Sequence, residues 1–103
     1  MSFDVEKHEE AIATARAVVL AWVCREHPGE YRTNDDLARA FCLLLPADVD
    51  LELRTIRNPS ALVYETRWYH QGREVEEFPK PFCAEQEGDA DVLACAALIG
   101  LDH

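Results

Sequence analysis

The segment from residue 33 to residue 78 constrains the fold most, because it carries helical patterns and then a β-hairpin pattern in one continuous stretch. Thr33 followed by Asp36 predicts a helix start, since the Thr hydroxyl can accept one free backbone N–H and the acid three residues on can serve another. Three large apolar residues then recur at helical spacing: Leu37, Phe41 and Leu44. Pro46 ends the helix, and the apolar face is expected to be buried.

Residues 47–57 are compatible with two structures. Val49, Leu51 and Leu53 alternate as in a strand, whereas Val49, Leu53 and Ile56 repeat as in a helix. The charge order favours the helix, because acids lie at the start and arginines at the end, which complements a helix dipole. These charged residues are Asp48, Asp50, Glu52, Arg54 and Arg57. The segment is therefore predicted to be a helix, with Ile56 facing inward and Leu51 facing outward.

A β-hairpin is predicted after a break at residues 58–60. Residues 62–69 are rich in β-branched and aromatic types, and Gln71-Gly72 supplies a reversal before residues 73–78. Its register is open at this point. A two-residue turn pairs Trp68 with Val75, whereas a three-residue loop pairs Tyr69 with Arg73. One residue of slip exchanges the two faces of the strand.

Two more helices are predicted outside that segment. Residues 4–26 have the pattern of an amphipathic helix that Pro28 ends. Its apolar stripe contains Val5, Ile12, Ala15, Val19 and either Trp22 or Val23. A final helix carries Val92, Cys95, Leu98 and Ile99. Gly100 is expected to end this helix, with Leu101 folded back onto it.

The length of 103 residues fits one compact domain, residues 1–103, which can bury roughly 60–70% of its unfolded surface. The elements predict an α+β fold in the order α-α-α-β-β-α. The alternative order is α-α-β-β-β-α, with residues 51–57 as a strand. The first residues lack the basic and apolar regions of a signal peptide, and no apolar run approaches the roughly 18 residues that span a bilayer. A cytoplasmic protein is therefore expected.

Acidic residues outnumber basic ones, since 20 Asp and Glu against 10 Lys and Arg give a formal net charge of −10. Such a surface repels a phosphate backbone and an anionic membrane, and the sequence shows no local basic patch to overcome the repulsion. The expected partner is therefore a protein with a basic surface, and neither membrane binding nor direct DNA binding is expected. The alternative is that the acidity only provides solubility.

The sequence offers few candidates for site chemistry. Cys24 and His27 are three residues apart and can supply half a zinc site, but the other cysteines form no second pair: Cys42, Cys83 and Cys95. Cys83 and His70 can be drawn as a nucleophile and its base, yet nothing in the sequence places them together. No catalytic residue, cofactor or metal is therefore predicted, and all four cysteines are expected to be reduced. An enzyme is not expected.

Three consecutive motifs carry a family resemblance. They are Leu37-Ala38-Arg39-Ala40-Phe41, then Val49, Leu53 and Ile56, then the hairpin of residues 62–78 with Gln71-Gly72-Arg73 at its tip. Together they resemble the winged helix-turn-helix superfamily, in which a helix reads the major groove of DNA. The resemblance implies a DNA-binding transcription regulator whose basic strip would be Arg54, Arg57, Arg67 and Arg73. One departure is that Asp48 and Asp50 stand where a DNA reader places donors and cations.

The charge favours a different function. In size, charge and lack of catalytic residues the chain is similar to small acidic inhibitors made by phages, including anti-CRISPR proteins. It is therefore predicted to be a non-enzymatic interaction protein that mimics DNA and occupies a basic, nucleic-acid-binding surface of a partner. The predicted partner-binding residues are Asp48, Asp50, Leu51, Glu52, Glu74, Glu76 and Glu77. The alternative is the winged helix DNA-binding regulator.

Overall fold

The computed structural model describes the backbone of residues 5–101 and the side chains of residues 8–101. Two helices come first, four strands follow, and a third helix ends this part of the chain. The elements are α1 (Val5–Glu26), α2 (Asn34–Leu44), β1 (Leu51–Asn58), β2 (Val63–His70), β3 (Arg73–Glu74), β4 (Phe82–Ala84) and α3 (Glu87–Leu101). The fold class is α+β, as predicted, with the strands in one antiparallel sheet.

α1 uses the predicted apolar stripe as its packed face. Ala15, Val19 and Val23 are buried in the hydrophobic core that α1 shares with α2 and α3. The predicted contribution of Val5 lies outside the described side chains. The helix ends at Glu26, where the Pro-Gly pair of the sequence predicts a stop. The spacing of the apolar residues was therefore sufficient to place this helix.

α2 begins at its predicted cap. Thr33 has an extended backbone, and its hydroxyl accepts the N–H of Asp36 at 3.1 Å. This bond satisfies one of the free donors at the start of the helix. Leu37 and Phe41 are fully buried, and the helix ends at Leu44. The capping residue and the apolar spacing together fixed both the start and the buried face.

The prediction of a helix over residues 47–57 is wrong. Ala47–Val49 form a short 3-10 turn, Asp50 turns the chain with a left-handed backbone of φ 54°, and β1 follows. All 8 residues of β1 pair with β2 in one antiparallel register. Cross-strand packing along the whole segment outweighs the charge order, which is worth only about 0.3–1 kcal/mol at a helix end. Ile56 is consequently exposed instead of inward.

This strand changes both the order of elements and the family comparison. The alternative order, with residues 51–57 as a strand, is nearer to the structure, although the described sheet has a fourth strand. A winged helix-turn-helix arrangement needs a reading helix where β1 lies, so the structure does not confirm that arrangement. The capped helix α2 and the β2–β3 hairpin are the parts of the expected motif that are present.

The β2–β3 hairpin has the two-residue turn. Gln71 and Gly72 both have left-handed backbones, with φ of 53° and 79°, as a type I′ turn requires. His70 pairs with Arg73, which confirms the two-residue register. The three-residue loop, in which Tyr69 would face Arg73, is wrong. Glycine is favoured at the second turn position because a side chain there would strain the left-handed backbone.

The second hairpin strand is shorter than predicted. β3 ends at Glu74, and the chain then turns so that the Phe78 N–H donates to the Val75 carbonyl at 3.2 Å. Prolines at positions 79 and 81 cannot donate to a strand ladder. Pairing with β2 therefore resumes only at β4, where Ala84 lies opposite Tyr64. The sequence pattern did not predict β4.

β2 is the central strand of the sheet. β1 pairs along one side of β2 for its full length, while β3 and β4 share the other side at its two ends. On the face covered by helices, Trp68 is 1% exposed, and its Nε1 donates to the Ala94 carbonyl of α3 at 2.8 Å. Phe41 of α2 packs edge-on against Trp68, with 6.3 Å between ring centroids. The core is therefore centred where α2, α3 and β2 meet.

The C-terminal end of α3 differs from its prediction. Gly100 lies inside the helix, and within residues 5–101 only Gly72 is a glycine with positive φ. Leu101 is 47% exposed instead of folded back onto the helix. A helix end that reaches solvent does not require a left-handed glycine, because water can satisfy its last carbonyls.

Candidate functional site

One end of the sheet gathers segments that are far apart in the sequence. The Gln71 N–H donates to the Asp50 carbonyl at 3.2 Å, which ties the start of β1 to the β2–β3 turn. The Val75 N–H donates to the Trp68 carbonyl at 3.1 Å, which holds the chain after β3 alongside β2. The last turn of α3 reaches the same place and contributes Leu101. Together these segments enclose a groove with a cavity volume of about 700 Å³.

We call this feature the acidic groove. Its apolar lining consists of Val49, Leu51, Val75, Leu98 and Leu101. Its polar lining consists of His70, Gln71, Arg73, Glu74, Glu76 and Glu77. Most of the apolar side chains are half-buried and form the floor, whereas Glu76 and Glu77 are exposed and form a charged rim. Glu74 also lines the groove, but by register it lies on the outer face of the sheet, where its carboxylate pairs with Arg67. An apolar centre inside a charged rim is the composition of a protein–protein contact.

The charge of the acidic groove is negative and only partly compensated. Glu74 forms an ion pair with Arg67. Glu76 and Glu77 are exposed, and no cation within residues 8–101 is in ion-pair range of either carboxylate. Arg73 is the only arginine or lysine among the lining residues. The last turn of α3 also lacks a basic residue, so the negative end of its dipole adds to the potential.

Four of the predicted partner-binding residues line the acidic groove: Leu51, Glu74, Glu76 and Glu77. Asp48 and Asp50 are exposed on either side of Val49, which is itself a lining residue. Glu52 lies elsewhere. Neighbouring residues of a strand point to opposite faces, and Glu52 pairs with Arg54 at 3.0 Å on the sheet face opposite to Leu51. The groove therefore brings together the wing acids and Leu51 but excludes Glu52.

Sequence reasoning missed most of the apolar lining. Val49 was assigned to the core side of a helix that does not form, and Leu101 was expected to pack onto α3. Leu98 was placed correctly on α3, but nothing in the sequence indicated that its neighbour would be the hairpin. One signal for Val75 was present. In the register of the two-residue turn, Val75 lies opposite Trp68. The same register brings the residues after β3 close to the start of β1.

The four arginines of the DNA-binding alternative do not form one strip. Arg54 and Arg67 lie opposite each other on the outer face of β1 and β2, and each forms an ion pair with a glutamate. Arg54 also stacks over the Tyr69 ring at 4.2 Å. By register, Arg57 and Arg73 belong to the other face, and they lie near opposite ends of β2. Paired and separated arginines provide a poor match to a phosphate backbone.

The structure separates the two residues of the nucleophile candidate, Cys83 and His70. Cys83 lies opposite Glu65, near the start of β2, whereas His70 is the last residue of β2. Cys24 is half-buried and His27 is exposed. Within the described part of the chain, no group of three or more potential metal ligands is found. The four cysteines are free thiols in this structure; their reduced, metal-free state in solution stays a prediction.

Cys42 and Cys95 form a thiol pair between α2 and α3 that the sequence did not indicate. A hydrogen bond with the Cys95 thiol lowers the pKa of Cys42. The same bond and burial raise the pKa of Cys95. Burial also raises the pKa of Cys83. Because the thiolate is the reactive form, Cys42 should be the most nucleophilic of these three cysteines.

We expect Cys42 to be alkylated before Cys83 in the native protein. A lowered pKa leaves a larger thiolate fraction near neutral pH, and Cys42 is half-buried beside a surface depression. Cys95 is buried and should react only on unfolding. Iodoacetamide labelling followed by peptide mass spectrometry measures the order. In the urea-unfolded chain the difference should vanish, and native labelling of Cys83 ahead of Cys42 would contradict the assignment.

Comparison with known proteins leaves the function to be argued from this geometry: no family model, no curated protein and no solved structure matches the chain. Among residues 5–101, no helix is long and apolar enough to cross a membrane. The acidic groove is the feature in which the residues predicted for partner binding converge.

Proposed function

We propose that this protein is a small, acidic, non-enzymatic interaction protein that binds a basic segment of a partner protein in the acidic groove. The observation that carries the proposal is the combination of half-buried apolar side chains with Glu76 and Glu77, two exposed glutamates with no described cation in ion-pair range. A partner segment with lysine or arginine beside an apolar side chain complements both parts.

The two parts of the groove have separate effects on binding. Glu76 and Glu77, together with the net charge of −10, attract a basic partner and raise the association rate. Salt weakens this attraction, since exposed charges are screened over about 8 Å at physiological ionic strength. Burial of Val75, Leu98 and Leu101 contributes about 25 cal/mol per Å² of apolar surface and slows dissociation.

The partner class that fits this charge is a protein whose basic surface binds nucleic acid. Such surfaces are rich in lysine and arginine because they neutralise phosphates. A protein that occupies the surface excludes the nucleic acid and acts as an inhibitor, which is the phage-type function that the size and charge of the chain suggest. The DNA-binding alternative is less well supported, because its arginines are paired or separated.

The test uses a fluorescent synthetic peptide of alternating arginine and leucine as a defined basic, apolar probe. We expect the double variant Glu76→Gln, Glu77→Gln to bind the peptide about tenfold more weakly, since each exposed ion pair contributes about 0.2–1 kcal/mol. The control is Glu9→Gln, Glu10→Gln on α1, which removes the same charge from another exposed site. Fluorescence anisotropy measures both affinities.

Equal weakening in both variants would show that the attraction is diffuse and would contradict the groove assignment. A gel shift with duplex DNA at physiological salt addresses the alternative function. We expect no shift with the unmodified protein. A sequence-specific shift would favour the DNA-binding regulator instead.

A further inference from the structure

The free side of β1 is an open sheet edge. β1 has 8 residues and pairs with β2 on one side only, and no other strand among residues 5–101 pairs with its free side. It contains no proline, and its register with β2 runs without a bulge, so its charged residues are the only protective device in the strand itself: Glu52, Arg54 and Arg57. Proteins usually protect such edges with these devices, because an open edge presents unpaired N–H and C=O groups. This edge is competent to accept another strand.

We propose that a second copy of this chain pairs its β1 with the free edge of β1. The two strands are antiparallel, and a two-fold axis passes through Leu53. In this register, residues 51–55 of each copy lie opposite each other in reverse order. Leu53 faces Leu53 of the second copy, and Glu52 faces Arg54 of the second copy. The two sheets become one continuous sheet across the dimer, and the contact is self-complementary, as a two-fold interface requires.

The order of charges along β1 selects this register. Only shifts by an even number of residues keep the same face of each strand toward the helices. The smallest shift in one direction places Arg54 opposite Arg54 of the second copy, and the smallest shift in the other places Glu52 opposite Glu52. Like charges directly opposite each other destabilise a strand pair, whereas opposite charges stabilise it. The register centred on Leu53 has two opposite-charge pairs and no like-charge pair.

Leu53 lines a surface depression of about 400 Å³ beside α2. Ala38 and Cys42 supply further apolar lining, and the charged lining consists of Asp35, Arg39, Glu87 and Asp91. Leu53 itself is half-buried, on the face of β1 opposite to Glu52 and Arg54. An added β1 strand would extend its own Leu53 along this face, next to the depression. Arg54 is already ordered on the outer face by Glu52 at 3.0 Å and by the Tyr69 ring at 4.2 Å.

This proposal does not depend on the proposed function. Besides Val49 and Leu51, the acidic groove is lined by residues of the β2–β3 hairpin, the turn after it and the end of α3. It shares Leu51 with the paired segment, but none of the residues that the dimer test changes or centres on lines it: Glu52, Leu53 and Arg54. Failure of the dimer would leave the groove unaffected. Loss of peptide binding in the groove variants would likewise leave the dimer unaffected.

The test measures the mass of the full chain in solution by sedimentation equilibrium at physiological salt. We expect the unmodified protein to pass from monomer to dimer over the micromolar to millimolar range. Arg54→Glu and Glu52→Arg should each weaken the dimer about tenfold or more, because both opposite-charge pairs become like-charge pairs. Both residues are exposed, so the fold should be retained, and circular dichroism checks this.

Two rescue experiments distinguish this register from other contacts. The double variant Glu52→Arg, Arg54→Glu restores two opposite-charge pairs and should dimerise like the unmodified protein. An equimolar mixture of the two single variants should form heterodimers, since the arginines of one then face the glutamates of the other. A protein that stays monomeric at millimolar concentration, or a dimer that neither single variant weakens, would overturn the proposal.

Discussion

Replacing Trp68 with alanine should lower the free energy of unfolding by about 3–5 kcal/mol. The side chain is 1% exposed and lies where the sheet, α2 and α3 meet, so its removal leaves a cavity lined from three directions. The Nε1 bond to the Ala94 carbonyl is lost as well. Native domains are commonly stable by about 5–15 kcal/mol, so this loss is a large fraction of the total.

Urea unfolding followed by circular dichroism measures this effect. Trp68→Phe is the comparison variant, because it keeps an aromatic ring. It loses part of the side-chain volume and the hydrogen bond, which contributes about 0.5–1.5 kcal/mol. We expect its stability to lie between those of the unmodified protein and the alanine variant. An ordinary substitution lowers the free energy of unfolding by about 1 kcal/mol. If Trp68→Ala lowered it by less than this, the core would not be centred on Trp68.

Gly88→Ala should destabilise the protein by about 1–3 kcal/mol through overpacking. Gly88 is buried at the start of α3, against the first turn of α2. A Cβ at this position would lie 2.6 Å from the backbone nitrogen of Asp35 and 2.8 Å from its Oδ1. The backbone atom cannot move aside without displacing the start of α2. The close approach of the two helix starts therefore depends on glycine.

Gly100→Ala is the matched control, since it makes the same change in the same helix. No atom lies within 4 Å of a Cβ at that position. Alanine is a better helix former than glycine by about 0.8–1 kcal/mol, so this variant should be as stable as the unmodified protein or more stable. Urea unfolding of the two variants side by side gives the comparison. Equal behaviour at both positions would contradict the close contact between Gly88 and Asp35.

The helices and the hairpin turn were predictable because their signals are local. The Thr33 cap, the apolar spacing of α1 and α2, and the Gln71-Gly72 turn each act within a few residues of the chain. Turn chemistry limited the hairpin to two registers. The structure then selected the one that two consecutive left-handed residues favour.

For β1 the local signals conflict, so its strand state was only the alternative prediction: the alternation of Val49, Leu51 and Leu53 indicates a strand, whereas the charge order favours a helix. Its charge order is a local preference for a helix, whereas its strand state depends on pairing with β2 and on the turn at Asp50. β4 is three residues long and depends on β2 in the same way. Local preferences of a few tenths of a kcal/mol do not decide a segment when a complete neighbouring strand is available.

The acidic groove shows the same division between local and tertiary information. Its glutamates were identified from charge alone, because acidity is a property of the sequence. Its apolar floor combines Val49, Val75 and Leu98, which are far apart in the chain and meet only through the hairpin and the packing of α3. Glu52 was predicted to bind the partner but does not line the groove, because β1 is a strand and places the Glu52 side chain on the sheet face opposite to Leu51.

The most direct measurement for the proposed function is an NMR titration of the isotope-labelled protein with the arginine–leucine peptide. We expect the largest amide shift changes around the acidic groove, at Val75, Glu76, Glu77, Leu98 and Leu101, and we expect them to weaken as salt is added. Changes that are largest on the acidic start of α1, or that are spread over all exposed carboxylates, would contradict binding in the groove.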